Sequence, residues 1–208
     1  MRVILVRHGE TNENVQGIIQ GRLDTSLNEK GIMQAEQTAD ALRSVRVTHI
    51  ISSPLSRARV TAEIIAKQQA SAAFSTDERL QERGFGVLEG KVYSGPREKP
   101  ADTVGIEPSA AVIARLGEFW EDLTRSPDPD RTVAIVSHGG ALSSLMNYVL
   151  TNDRVKCAAG VEPSRFWNCS LSEINVPTEG PGTVISWADV RHLHAGESHV
   201  RNVDEAIS

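Results

Sequence analysis

Val3-Ile4-Leu5-Val6-Arg7-His8-Gly9-Glu10 reads as a buried strand that presents two polar side chains where it ends. A parallel strand covered on both faces is an unbroken Val/Ile/Leu run, and ligands of open α/β sheets gather at the carboxyl ends of such strands. Arg7 and His8 fall at that end. A second run, Val133-Ala134-Ile135-Val136, finishes in the same manner, in Ser137-His138-Gly139-Gly140. His8 and His138 are therefore expected on one rim of one sheet.

The rest of the chain supplies the partners of these strands. Ser26-Leu27-Asn28-Glu29 has the S-x-x-E form of a capping box, and Ile32, Ala35, Ala39 and Leu42 follow at helical spacing, so a helix is expected over about 28–44. His49-Ile50-Ile51-Ser52 is a short strand closed by Ser53-Pro54, after which Leu55, Ala58, Ala62, Ile65 and Ala66 return to helical spacing. Val112, Leu116, Phe119, Trp120 and Leu123 mark an amphipathic helix over 110–123, and Pro127-Asp128-Pro129-Asp130 breaks it before a strand at Thr132. Gly139 and Gly140 open a further helix through Leu150, and 170–175 and 183–190 read as strands around a loop. Alternating strands and helices predict an α/β fold of three layers, a mainly parallel central sheet with helices on both faces. Between Arg83 and Pro108 the text is rich in Gly, Pro and charge without a period. It is read as an irregular, substrate-covering segment, about 84–108, within a single domain over 1–208.

Composition narrows the function classes. The chain has 208 residues, 39% hydrophobic and 24% charged, enough for a substantial core and without a run that would span a membrane. A net charge of −5 argues against the long basic footprint of a nucleic-acid binder, so any anion site must be a local gathering of Arg and His. Cys157 and Cys169, the only cysteines, are read as free thiols. The first strand begins at residue 2, which leaves no room for a cleavable signal, and a cytoplasmic location is expected.

Strand ends and adjacent helix starts would present Arg7, His8, Asn14, Arg57, His138 and the Gly139-Gly140 amides, a set suited to a phosphoryl group. Arginine offers a planar fork of donors to phosphate oxygens, and a helix start adds backbone N–H groups. A neutral imidazole can attack phosphorus if one nitrogen carries a held proton and the other a lone pair; His8 is the candidate nucleophile. Arg7, Arg57 and a protonated His138 would stabilise charge on the transferred oxygens, with no metal and no cofactor required. An alkoxide leaves badly, so an acid is wanted, and Glu82 in Leu80-Gln81-Glu82-Arg83-Gly84-Phe85-Gly86 is the candidate. Nearby arginines would lower its pKa and a bound phosphate dianion would raise it.

Arg7-His8-Gly9-Glu10-Thr11, Asn14, Gln20-Gly21, Ser53-Pro54-Leu55-Ser56-Arg57-Ala58, Leu80-Gln81-Glu82, Phe85-Gly86-Val87-Leu88-Glu89-Gly90 and Ser137-His138-Gly139 occur in an order that resembles the histidine phosphatase superfamily, with its phosphoglycerate mutase-like fold. The motifs cover roughly 2–150. The resemblance implies His8 as the phosphohistidine nucleophile, Glu82 as proton donor and Arg7, Arg57 and His138 as the phosphate pocket. It further implies substrate contacts at Asn14, Gln20, Gly21 and Gly139. Phosphoglycerate mutases of the family resemble one another in a longer insertion after the acid, with His-Tyr following Glu-Arg and an adjacent Arg pair further on. Here Gly84-Phe85 follows Glu82-Arg83, and no adjacent Arg pair lies between Glu82 and Arg115. The resemblance thus points to the phosphatase branch, a metal-independent phosphomonoesterase, with a phosphoglycerate mutase or related phosphoryl transferase as the alternative. A non-catalytic binder of phosphorylated ligands is the reading from another class. Lys91, Tyr93, Arg97 and Lys99 are further residues for the pocket. The expected partner is a small phosphorylated substrate, with neither nucleic acid nor membrane; oligomeric state stays open and a homodimer is compatible with it.

Blander readings stand beside these. Glu82 would serve as a surface carboxylate paired with Arg79 or Arg83, and Arg59 is read as solvated or ion-paired rather than as the pocket arginine. Gly139-Gly140 would be packing at a strand-to-helix turn; without G-x-G-x-x-G or G-x-x-x-x-G-K-[ST] it is not a nucleotide loop. His192, His194 and His199 are read as a solvated tail rather than metal ligands.

Overall fold

The computed structural model describes residues 1–93 and 104–193. Among them, strands β1 (Arg2–Arg7), β2 (His49–Ser52), β3 (Ala73–Thr76), β4 (Thr132–Ser137), β5 (Val155–Cys157), β6 (Leu171–Asn175) and β7 (Gly182–Asp189) form one sheet in the order β3-β2-β4-β1-β6-β7-β5. β1 pairs in parallel with β4, and β4 and β3 pair in parallel with β2. β6 runs antiparallel to both β1 and β7, and β5 is parallel to β7, so β6 alone opposes the rest of a mainly parallel sheet.

Side-chain alternation along the central strands builds the three layers. Ile4, Val6, Ala134 and Val136 pack with Ala39, Ala58, Ala62 and Ile65 of helices α2 (Glu29–Ala41) and α3 (Ser56–Lys67). Val3, Leu5, Val133 and Ile135 pack on the other face with Leu116, Phe119, Leu142 and Leu145 of helices α4 (Ser109–Thr124) and α5 (Gly139–Thr151). All four residues of each apolar run are buried, which is why neither strand shows a polar/apolar alternation. Truncating one such side chain, Leu5→Ala, would cost ~2–5 kcal/mol, a large share of a typical domain's stability.

Register then fixes the site. Arg7 lies opposite Ser137, and the His8 N–H donates to the Ser137 carbonyl at 2.9 Å, so the residues after β1 and β4 leave the sheet side by side. Ser52 lies opposite Val136, and Ser53 N–H donates to the Val136 carbonyl, which brings the start of α3 to the same rim.

Some local expectations change. The cap of α2 is Asn28, whose side chain accepts the Gly31 N–H at 2.8 Å, and not the Ser26 of a capping box. Helix α1 (Asn12–Gln16) and strands β3 and β5 were not expected. His192 is half-buried, with Nε2 at 3.0 Å from the Cys169 carbonyl and 3.1 Å from Thr38 Oγ1, so it is docked on α2 and not solvated. His194 and His199 lie outside the described residues. Cys157 and Cys169 are free thiols. Among the described residues no helix is long and apolar enough to cross a membrane.

Candidate active site

The loop after β1 is held from three sides before any side-chain chemistry is considered. Gly9 N–H donates to Thr61 Oγ1 on α3 at 3.1 Å, and Glu10 N–H donates to Gln34 Oε1 on α2 at 2.9 Å. The Glu10 carboxylate takes Asn28 Nδ2 at 3.0 Å and Lys30 Nζ at 3.3 Å. Asn168, in the turn before β6, donates through Nδ2 to the His8 carbonyl at 3.0 Å and to Asn14 Oδ1 at 3.2 Å. Asn168 had no sequence signal, since it stands outside the expected elements and motifs.

His8 and His138 meet with ring centroids 5.2 Å apart at an interplanar angle of 60°. His8 Nδ1 lies 2.7 Å from the Gly9 carbonyl, an acceptor only, so Nδ1 carries the proton and Nε2 the lone pair. Burial, then the Arg57 and Arg7 cations, hold the His8 pKa well below its ordinary 6.5, against the Gly9 bond that raises it. His8 is neutral. The same is true of His138, pushed well below 6.5 by burial, then by Arg57, His8, Arg7 and Arg115. The protonated His138 expected from the sequence belongs to the phosphoryl transfer itself, where the charge on the transferred oxygens would favour the imidazolium. Its Nε2 sits 2.8 Å from Ser53 Oγ, while Nδ1 is buried with no hydrogen-bond partner among the described residues.

Arg7 and Arg57 are both fully buried. Arg7 Nη1 donates to the Phe166 carbonyl at 2.8 Å; Arg57 donates to the carbonyls of Leu23 at 2.7 Å and Gly21 at 2.8 Å. Gly21 therefore meets Arg57 through its carbonyl. Gln20, fully buried, accepts from the hydroxyls of Thr11 and Thr25 through Oε1. Asn14, buried on α1, accepts the Thr11 N–H through Oδ1 in a reciprocal capping pair. Arg59 ion-pairs with Glu63 at 2.6 Å.

Glu82 is 1% exposed, which removes the surface-carboxylate reading. Its oxygens accept the Arg83 N–H at 2.9 Å and the Gly140 N–H of α5 at 3.0 Å. The Gly140 amide is thereby engaged by the acid, whereas the sequence placed it on the phosphoryl group. Arg79 pairs instead with Asp77 and Asp122, and the Arg83 guanidinium lies over the Phe85 ring. Burial raises the Glu82 pKa above its ordinary 4.5 despite the Arg83 N–H, Arg57, Gly140 N–H and Arg115, all of which lower it. The expectation that arginines dominate is reversed because the whole carboxyl group is desolvated.

The described part of the irregular segment lies against the loop after α1. Ile18 bridges to Val92, and Ile19 N–H donates to the Lys91 carbonyl. Tyr93 N–H donates to the Gly17 carbonyl; Arg97 and Lys99 lie outside the described residues. Among the described residues there is no group of three or more His, Cys, Asp or Glu placed to hold a metal ion.

Residues 3–190 match the model of the histidine phosphatase superfamily (branch 1). The chain belongs to that superfamily. Among its relatives, a probable phosphoglycerate mutase GpmB of Proteus mirabilis is 37% identical over 210 residues, 93% of this chain and 95% of the relative. A probable phosphatase, C1687.21 of Schizosaccharomyces pombe, is 29% identical over 95% of this chain and 98% of its own. A solved histidine phosphatase structure, the mycobacterial glucosyl-3-phosphoglycerate phosphatase Rv2419c with VO3, superposes with a TM-score of 0.75 at 26% identity, covering 91% of this chain and 99% of that one.

Proposed function

We propose that this protein is a metal-independent phosphomonoesterase that works through a phosphohistidine on His8. The observation that carries the reading is two fully buried arginines acting on two neutral buried histidines, one of which has its Nε2 lone pair fixed by a backbone carbonyl. Arginine forks match phosphate oxygens, and charge-assisted hydrogen bonds of this kind are strong in a buried site. His8 Nε2 attacks phosphorus, the P–O bond to the alcohol breaks, and the leaving oxygen takes the proton of Glu82, whose burial favours the protonated form. Arg7 and Arg57 stabilise the phosphoryl oxygens in flight, and the unsatisfied Nδ1 of His138 takes one of them as partner. Water then attacks the phosphohistidine, Glu82 as carboxylate accepts its proton, and phosphate leaves with His8 restored. Asn14, buried and joined through Oδ1 to Asn168, is the further polar residue assigned to substrate contact.

The names of the bacterial relatives favour a second reading, in which a substrate hydroxyl rather than water accepts the phosphoryl group. Gly84-Phe85 after Glu82-Arg83, and the lack of an adjacent Arg pair before Arg115, favour water. Acid-labile label trapped on the protein after rapid quench with a labelled phosphomonoester, absent from His8→Ala, supports the covalent step; full turnover by His8→Ala ends the proposal. Free phosphate release, compared with conversion of 3-phosphoglycerate to 2-phosphoglycerate, separates the two acceptors.

A further inference from the structure

We propose that the Arg115–Glu107 ion pair is a positioning device for Glu82, gripping the backbone on both sides of it so that its carboxyl group is held where a leaving oxygen can take its proton. This rests on the reading of Glu82 as proton donor. Neither residue belongs to the sequence motifs of the site, and neither touches the phosphate pocket residues through a hydrogen bond described above.

The grip is built from a single fork. Arg115, on α4, sends Nη1 to the carbonyls of Arg79 and of Gln81, the latter at 2.8 Å, and Nη2 to the carbonyl of Glu82 at 3.2 Å. Its Nε and Nη2 meet the two Glu107 oxygens at 2.9 and 3.1 Å. Glu107 continues on the other side of the acid: Oε2 accepts the Gly84 N–H at 3.1 Å, and its carbonyl accepts Arg83 Nε at 2.8 Å. Residues 79–82 are thus tied by Arg115 and residues 83–84 by Glu107. Both side chains are about 15% exposed, which shields the pair from solvent screening.

Residues 82–84 have no helix or strand of their own to fix them. One Glu82 oxygen is held by its neighbour Arg83 N–H and the other by Gly140 N–H, so the distance between this segment and α5 sets where the carboxyl group sits. α4 packs directly on α5, and the pair therefore references the acid to the same helical layer that begins at His138. A lysine at 115 would keep the charge but lose the planar fork that reaches three carbonyls and a carboxylate together. A misplacement of about 1 Å is worth up to about 10²-fold in a proton-transfer step.

The test is single-turnover phosphorylation of the full chain by glycerol 3-phosphate and by p-nitrophenyl phosphate, in wild type, Glu82→Gln, Arg115→Lys and Glu107→Gln, with vanadate affinity and melting temperature beside it. Arg115→Lys and Glu107→Gln are expected to slow the alkyl phosphate about 10- to 10²-fold and the aryl phosphate, whose leaving group hardly needs an acid, less than about threefold. Vanadate should bind both variants within about threefold of wild type, because Arg7, Arg57 and His138 are untouched. Selectivity in Glu82→Gln without selectivity in the two pair variants overturns the inference and leaves the role of Glu82 standing. Equal slowing of both substrates by Glu82→Gln removes that role, and the inference with it. Loss of vanadate binding in the pair variants would show a displaced pocket and overturns the inference as well.

Discussion

The backbones of Gly9 and Gly31 meet so closely that neither residue has room for a Cβ: one on Gly9 would strike the Gly31 carbonyl, and one on Gly31 would strike the backbone of Glu10. Through this contact the first turn of α2 seats the loop that carries His8. Replacing a helical glycine by alanine ordinarily gains ~0.5–1 kcal/mol, while forcing a methyl into a packed site costs ~1–3 kcal/mol. The second effect is expected to win in Gly31→Ala. The variant should melt lower than wild type, and because the collision lies two residues from His8, its phosphorylation rate should fall too. A Gly31→Ala protein that is more stable and fully active would show that the loop yields freely.

As the proposed proton donor, Glu82 is expected to give the phosphorylation step an alkaline limb. Its pKa is raised by burial, so the proton is present below that raised value and is lost as pH rises through it. The rate with an alkyl phosphate should be flat above the ordinary carboxylate range and then decline, and Glu82→Gln should be slow throughout and lack this limb. A limb that survives unchanged in Glu82→Gln belongs to another group.

Metal independence has a simple readout. If the positive charge of the pocket comes from Arg7 and Arg57, exhaustive chelation leaves turnover within about twofold, whereas loss of a catalytic metal removes several kcal/mol of stabilisation, ~10²-fold or more. Vanadate should inhibit by occupying the same pocket. Activity lost to chelator and restored by one added metal would replace this mechanism with another.

The parts of the molecule that could be read in advance are those whose signal is local. The strands β1 and β4 announce themselves because all four residues of each apolar run are buried, and His8 and His138 follow from their ends. β3 gave no such signal: Ala73, Phe74, Ser75 and Thr76 are all exposed on a sheet edge, so no burial pattern is imposed on them. β5 has three residues and α1 five, too few for a period. The direction of the Glu82 shift was not legible for a physical reason. Counting arginines around Glu82 omits desolvation, which depends on how the fold buries the carboxyl group, not on neighbours in sequence. Asn168 and the Arg115–Glu107 pair act on segments more than twenty residues away, on His8, Asn14 and the backbone around Glu82, and no spacing rule reaches them.

The neutral histidines also make stability depend on pH. His8 and His138 have folded pKa values well below 6.5, so on acidification the unfolded chain takes up their protons near that value while the native protein does not. Their contribution is fully present above about pH 6.5 and is lost as pH falls toward the folded values, at ~1.4 kcal/mol per pH unit for each histidine. Glu82 acts in the opposite sense, because its folded pKa is raised and the native state binds its proton first. Comparing variants isolates one histidine from that opposition. His138→Asn should show a shallower fall of urea-unfolding free energy between about pH 6 and about pH 5 than wild type, by ~1.4 kcal/mol per unit. Saturating vanadate should flatten the part of the wild-type slope that His138 contributes, since an oxyanion against that imidazole favours its protonated form. Parallel slopes for wild type and His138→Asn without vanadate would mean that His138 is already protonated in the native protein.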